Sequence, residues 1–186
     1  MVQHPMPSLT RDQIVAEAFN LLEAEGLEGL SMRRLAARLK VQAPALYWHV
    51  NDKAEVLGMM AADIYAAAYS RTGPAQDWRE WLRQFGRALH LSLTSHRDGA
   101  RLCAIGRPPS PTDAIAQAGR IAAPLTALGL NDQQALAHQA AVISFTLGWT
   151  TFEANGPMRD FLRQMMDFDA TFSTGLDSLV KGLPDK

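Results

Sequence analysis

From Thr10 to about residue 182 the apolar residues recur at intervals of three and four, and no stretch of useful length alternates apolar with polar. A period near 3.6 gathers such residues on one face of a helix, whereas a strand needs a period of 2. The chain is therefore expected to be all-α. Thr10 with Gln13 makes a capping box ahead of Ile14, Ala18, Leu21 and Leu22, and Gly26 stops that run. Ser31 can cap a short second helix ending near Lys40, with Leu35 and Leu39 inward and Arg33, Arg34 and Arg38 pointing elsewhere. Pro44 suits the first turn of a third helix, which runs to about Val50. Asn51 is expected to cap a fourth from Asp52 to about Tyr69, closed by Arg71-Thr72-Gly73-Pro74. Further helices are expected over about 77–94, 112–127, 131–155 and 158–182, the last interrupted near Asp169, with residues 95–111 irregular.

At 186 residues, 47% hydrophobic and 20% charged, the chain can bury a full core. Its single cysteine, Cys103, forms no internal disulfide and suits a reducing cytoplasm, and the amino terminus MVQHPMPSL lacks the pattern of a signal peptide. The longest apolar stretch, around AAVISFTLGW, falls short of the roughly 20 residues that span a bilayer, so no membrane partner is expected. The net charge of −1 hides an asymmetry. Residues 10–30 set one arginine against five carboxylates, a net −4, while residues 31–53 set five cations against one carboxylate, a net +4. A basic segment of this kind is the electrostatic footprint of a nucleic-acid contact.

That segment ends in ALYWHVNDK, with Tyr47, Trp48 and His49 in succession. In a helix of about two turns, Leu46 and Val50 at i and i+4 already supply the inward face, so the three rings cannot all be buried with them. Rigid, flat side chains that donate from O–H and ring N–H groups are suited to phosphate oxygens. Three short helices with a tight turn between the second and third have the layout of a helix-turn-helix. The plain alternative is a three-helix subdomain with Tyr47 and Trp48 in its core.

LSMRRLAARLKVQAPALYWHVNDKAEVL resembles the DNA-binding domain of the TetR family of transcriptional repressors, in particular the tetracycline repressor subgroup, and SHRDGARLCAIGRP and FTLGW resemble that subgroup's regulatory core. The resemblance implies an arm over residues 1–9, a DNA-binding domain over 10–53, and an effector-binding and dimerisation domain over 54–186. It implies that a homodimer binds a palindromic double-stranded DNA operator and is released by a small-molecule effector. Ser31, Arg33, Gln42, Ala43, Pro44, Ala45, Tyr47, Trp48, His49 and Lys53 would contact DNA. Arg33 would read a base, the three rings would touch the backbone, and Lys53 would hold a phosphate. Ala43 and Ala45 stand where the subgroup has polar residues, so the operator should differ in sequence; alanine can still meet a thymine methyl. Lys40 stands where the turn usually has glycine, and a left-handed backbone there would cost about 1 kcal/mol.

The implied effector pocket comprises Met60, Ile64, Tyr69, Phe85, Leu89, Cys103, Arg107, Trp149 and Glu153. In the subgroup the drug binds as a magnesium chelate. Here Cys103, Tyr69 and Phe85 replace polar drug contacts, and a hard magnesium ion has little use for a thiol. An apolar or aromatic effector is expected, with no metal and no cofactor. Taken alone, Cys103 reads as a small buried hydrophobe, with thiol-based sensing as the alternative. His90 and His138 have no metal-site spacing, and Met59, Met60, Met165 and Met166 read as core. His96, Arg97 and Asp98 are expected to fix the corner after the fifth helix. The last two long helices carry apolar residues on more than one face, which calls for a sister subunit. The rival readings are a helical enzyme, for which no nucleophile motif or phosphate loop is present, and a ligand carrier, which would leave the +4 segment without a use.

Overall fold

A computed structural model describes residues 9–106, 111–154 and 156–185. Ten helices follow one another among them: α1 (Arg11–Gly29), α2 (Met32–Arg38), α3 (Ala43–Leu46), α4 (Lys53–Arg71), α5 (Trp78–Thr94), α6 (Gly99–Ile105), α7 (Pro111–Thr126), α8 (Asp132–Glu153), α9 (Gly156–Leu162) and α10 (Phe168–Gly182). The all-α expectation holds, and among the described residues no helix is long and apolar enough to cross a membrane.

The local signals act where the sequence puts them. Thr10 and Gln13 exchange both bonds of a capping box, and Ser31 accepts from the Arg34 N–H. Gly26 breaks α1 with φ 73°, and the chain turns helical again briefly beyond it. Four expectations need correction. The cap of α4 is Asp52, which accepts from the Glu55 N–H, while Asn51 donates its own N–H and its amide to the Glu55 carboxylate at 2.7 and 2.8 Å. Regular helix in α3 stops at Leu46, and Tyr47–His49 form a turn held by His49 N–H to the Leu46 carbonyl. Residues 99–105, expected to be irregular, form α6; Asp98, not the neighbouring Gly99, enters it through a left-handed backbone, φ 55°. The interruption after α9 falls at residues 163–167 rather than near Asp169, because Asp167 caps α10.

Packing then divides the chain. Ile14, Ala18, Leu21, Leu35, Leu46 and Val50 close a small core under α1 to α3, which continues into Val56, Met60 and Ile64 of α4. Helix α4 lies along α5 and α6, α5 along α8, and α8 along α7 and α10. Close approaches require missing side chains. A Cβ on Gly86 of α5 would come within 2.8 Å of Leu176 on α10, and one on Gly106 within 3.1 Å of Ala61 on α4. The second contact presses the end of α6 directly onto α4, the helix that follows the basic segment.

Candidate nucleic-acid interface and effector region

Helix α2 ends in a Schellman motif: the Val41 N–H reaches the Ala36 carbonyl at 3.0 Å and the Lys40 N–H reaches Ala37 at 3.2 Å. That geometry needs a left-handed residue, and Lys40 supplies it at φ 55°. The turn is therefore kept despite the missing glycine. It sets α3 so that Leu46 and Val50 are buried while Tyr47 is 53% and Trp48 88% exposed. An indole that open contributes nothing to a core, and the plain three-helix alternative fails on it. His49 is half-buried, as are Ser31, Ala43 and Ala45; Gln42 and Pro44 are exposed.

The basic segment is more selective than its formal charge suggests. Arg34 pairs with Glu25, and Arg38 Nε pairs with Glu17 at 2.5 Å. The Arg38 hydrogen bond, helped by Asn20, holds the Glu17 carboxyl below the usual range. Two of the five cations are thus compensated by α1. Arg33 is exposed and, like Lys40, makes no ion pair among the described residues. Lys53 Nζ donates to the Leu27 carbonyl at 3.2 Å, leaving two N–H groups for another acceptor. Arg11 Nη2 also meets Glu55 at 3.1 Å, tying the start of α1 to the start of α4.

A second junction joins this unit to the bundle. The Leu27 N–H donates to Asp98 at 2.9 Å, and Arg97 Nη1 donates to the carbonyls of Glu23 and Ala24 at 3.3 and 3.2 Å. His96 stacks on Phe19 with ring centres 4.5 Å apart, and Arg101 meets Glu28 at 2.8 Å. The corner that sequence assigned to holding itself thus clamps the kinked end of α1. No spacing rule could reveal that, because the partners lie more than seventy residues apart.

The expected effector residues that are described fall into two sets of contacts. Met60, Ile64, Phe85 and Leu89 are fully buried core. Tyr69 packs on Phe85 at 4.9 Å, and its hydroxyl accepts from Gln139 at 2.9 Å; burial pushes that phenol up to about 12. Burial likewise pushes the Cys103 thiol up to about 12, so it stays a neutral thiol at ordinary pH. Trp149 and Glu153 form a separate group, with the Glu153 carboxylate accepting from Trp149 Nε1 at 3.1 Å and paired with His90 Nε2 at 2.7 Å. His138 bonds the Pro184 carbonyl at 3.0 Å. Arg107 lies outside the described residues. Two adjoining clefts, about 430 and 600 Å³, open beside α5, α8 and α9, and of the expected pocket residues described only Glu153 lines them. Among the described residues no three His, Cys, Asp or Glu side chains group as a metal site.

An exposed ring cluster on a two-helix reading unit, joined through a clamp to a helical core, defines a helix-turn-helix regulator. Residues 14–59 match the bacterial regulatory proteins of the tetR family, and residues 72–166 match the tetracyclin repressor-like C-terminal domain. The chain belongs to the TetR family, whose members are ligand-responsive transcriptional repressors. It is 37% identical over 145 residues to the Escherichia coli tetracycline repressor protein class E, covering 77% of this chain and 68% of that one. Its fold is similar to apo ActR from Streptomyces coelicolor, with a TM-score of 0.78 at 29% identity over 96% of both chains. It is also similar to TetR-Q116A from Acinetobacter baumannii AYE in complex with minocycline, with a TM-score of 0.75 at 34% identity, covering 94% of this chain and 92% of that one.

Proposed function

We propose that this chain works in the cytoplasm as a homodimer, gripping a palindromic operator through α3 and the Tyr47–His49 turn and letting go when a small aromatic or apolar effector binds. The observation that carries it is the exposure of Trp48 and Tyr47 in a segment whose Arg33 and Lys40 make no ion pair among the described residues. Rings with polar edges touch phosphates, and Arg33 is left available for a guanine edge. Helix α8 keeps Leu136, Ile143 and Leu147 only half-covered, and α10 does the same with Leu179, which supports burial against a second copy. In such a dimer the two reading units sit about one helical turn of DNA apart, roughly 34–36 Å.

On the Tyr69–Cys103 side, where the resembled subgroup holds its magnesium chelate, magnesium has no place in this reading. A neutral Cys103 thiol and a hydrogen-bonded Tyr69 phenol are poor partners for a hard cation that wants oxygen ligands and water. Fluorescence anisotropy on the DNA upstream of the chain's own coding sequence tests both halves. The protein should shift a palindrome there, and tetracycline with magnesium should not release it. Magnesium-dependent release by tetracycline would refute the effector half; failure to bind any palindromic upstream site would refute the whole.

A further inference from the structure

The clefts beside α9 hold polar groups that operator binding does not use. They adjoin, sharing Thr94, Glu153 and Arg159, and their sizes fall within the roughly 300–1,000 Å³ of small-molecule sites. Thr150 is 4% exposed, yet its hydroxyl has no partner. Its neighbours Thr146 and Thr151 each donate to the carbonyl four residues back, both at 2.8 Å, so Thr150 departs from the local habit. The Nε of Arg159 is also buried without a partner. Glu153 does not answer it, because one carboxylate oxygen meets His90 and the other Trp149. Among the described residues Arg163 on the rim makes no ion pair either; of the three carboxylates lining the cleft, Glu153 is engaged by His90 and Trp149 and Asp167 caps α10, which leaves Asp169. A buried N–H without an acceptor is penalised, so the site favours an incoming oxygen acceptor. Phe168 and Met166 add an apolar wall, with Phe168 set 6.1 Å from Trp149.

We propose that this cleft binds a planar aromatic acid, its carboxylate on Arg159 within reach of the Thr150 hydroxyl and its rings against Phe168 and Met166. The inference rests on the repressor reading and deepens it by making this the effector site, apart from the Tyr69–Phe85–Cys103 side. The opposite wall of the larger cleft is the His96–Arg101 corner, the same corner that clamps α1 at Glu23, Ala24 and Leu27. A ligand that wedges this corner away from α8 carries α1, and with it the reading unit, out of register. Differential affinity for the two arrangements then sets how strongly the ligand releases DNA.

The test uses the intact protein without DNA and two fluorescent probes of one shape, anthracene-2-carboxylate and 2-(hydroxymethyl)anthracene. Wild type should prefer the carboxylate by about tenfold or more, the range of a hydrogen bond to a charged group. Arg159→Gln should bring the ratio close to one, and the isosteric Thr150→Val should lower it. Because the readout is a ratio, partial loss of folded protein leaves it unchanged; if Arg159→Gln does not fold, Arg159→Met, which keeps the length of the side chain and removes the charge, replaces it. Equal binding of the two probes, no binding of either, or a preference that survives Arg159→Gln but not Tyr69→Phe would overturn the assignment. Operator gel shifts on the same preparations separate the two claims. Arg159-dependent binding without operator binding sinks the repressor reading and leaves the cleft as a ligand site. Operator binding with no carboxylate preference sinks the cleft alone. Carboxylate binding that never releases a bound operator removes its effector role.

Discussion

Arg33 and Trp48 should contribute to DNA binding in different ways. A guanidinium with no internal partner can read one base edge, whereas an indole 88% exposed meets backbone and is indifferent to sequence. Arg33→Ala should cost about 1–3 kcal/mol on the operator and relax preference at one base pair per half-site, while Trp48→Ala should weaken operator and random DNA alike. Anisotropy titrations against both sequences check this, and equal effects of both variants on both DNAs would refute the division. Lys40 carries a different prediction. Its left-handed backbone is strained for any residue with a Cβ, and its side chain holds no ion pair in return. Lys40→Gly should raise stability by about 1 kcal/mol, seen as a higher urea midpoint with an unchanged slope.

At the scale of elements, two of the junctions that hold α1 each have their own signature. Glu17 on α1 and Arg38 on α2 are joined at 2.5 Å, and the folded state holds the Glu17 carboxyl below its ordinary 4.5. A depressed carboxyl contributes stability above its unfolded value, and that contribution is lost as pH falls through the folded one. Glu17→Gln should therefore be less stable than wild type near neutral pH, with the gap closing progressively below about 4.5 in acid titrations of unfolding. A gap constant from pH 7 to 2 would mean the pair contributes no charge-dependent stability. The other junction is the corner at Arg97. Arg97→Ala removes the two bonds to the Glu23 and Ala24 carbonyls but touches no residue of the reading unit. Operator affinity should stay within a few-fold, since these bonds are exposed and worth about 1 kcal/mol each at most, while effector release weakens. Normal release from this variant would place the coupling elsewhere, along α6 and α4.

For the whole molecule the matter is what covers α8 and α10. Leu136, Ile143, Leu147 and Leu179 pack against the core yet stay only partly covered, beside the stacked rings of Phe145, Trp149 and Phe172. Sedimentation velocity should show a dimer at micromolar protein, with a melting temperature that rises with concentration because association stabilises only the folded state. A monomer at those concentrations would remove the spacing argument for a palindromic operator. Ile143→Glu on α8 should give a folded monomer that binds half-sites weakly.

Caps, helix periods and the division of Leu46 and Val50 from Tyr47 and Trp48 were legible in the chain because each depends on residues within one or two turns of one another. At Lys40 the family resemblance implied only that a left-handed backbone would be costly and the turn slightly remodelled, whereas the folded chain keeps the left-handed backbone. Other features were hidden for an equally plain reason. Whether Arg34 and Arg38 serve DNA or α1 depends on how two helices cross, and their partners Glu25 and Glu17 carry no mark of it. Helix α6 starts from a non-glycine left-handed residue that is fixed by the Leu27 N–H, a contact across the fold. The same holds for the cleft: Thr150 and Arg159 look like ordinary helix residues until packing leaves their polar atoms buried without partners. Sequence determined most of the helices and the exposure of the rings after α3, because those follow from local hydrogen bonding and periodicity. Tertiary structure alone decided which charges are spent internally, where open volume lies and what clamps α1, because packing sets contacts between residues distant in the chain.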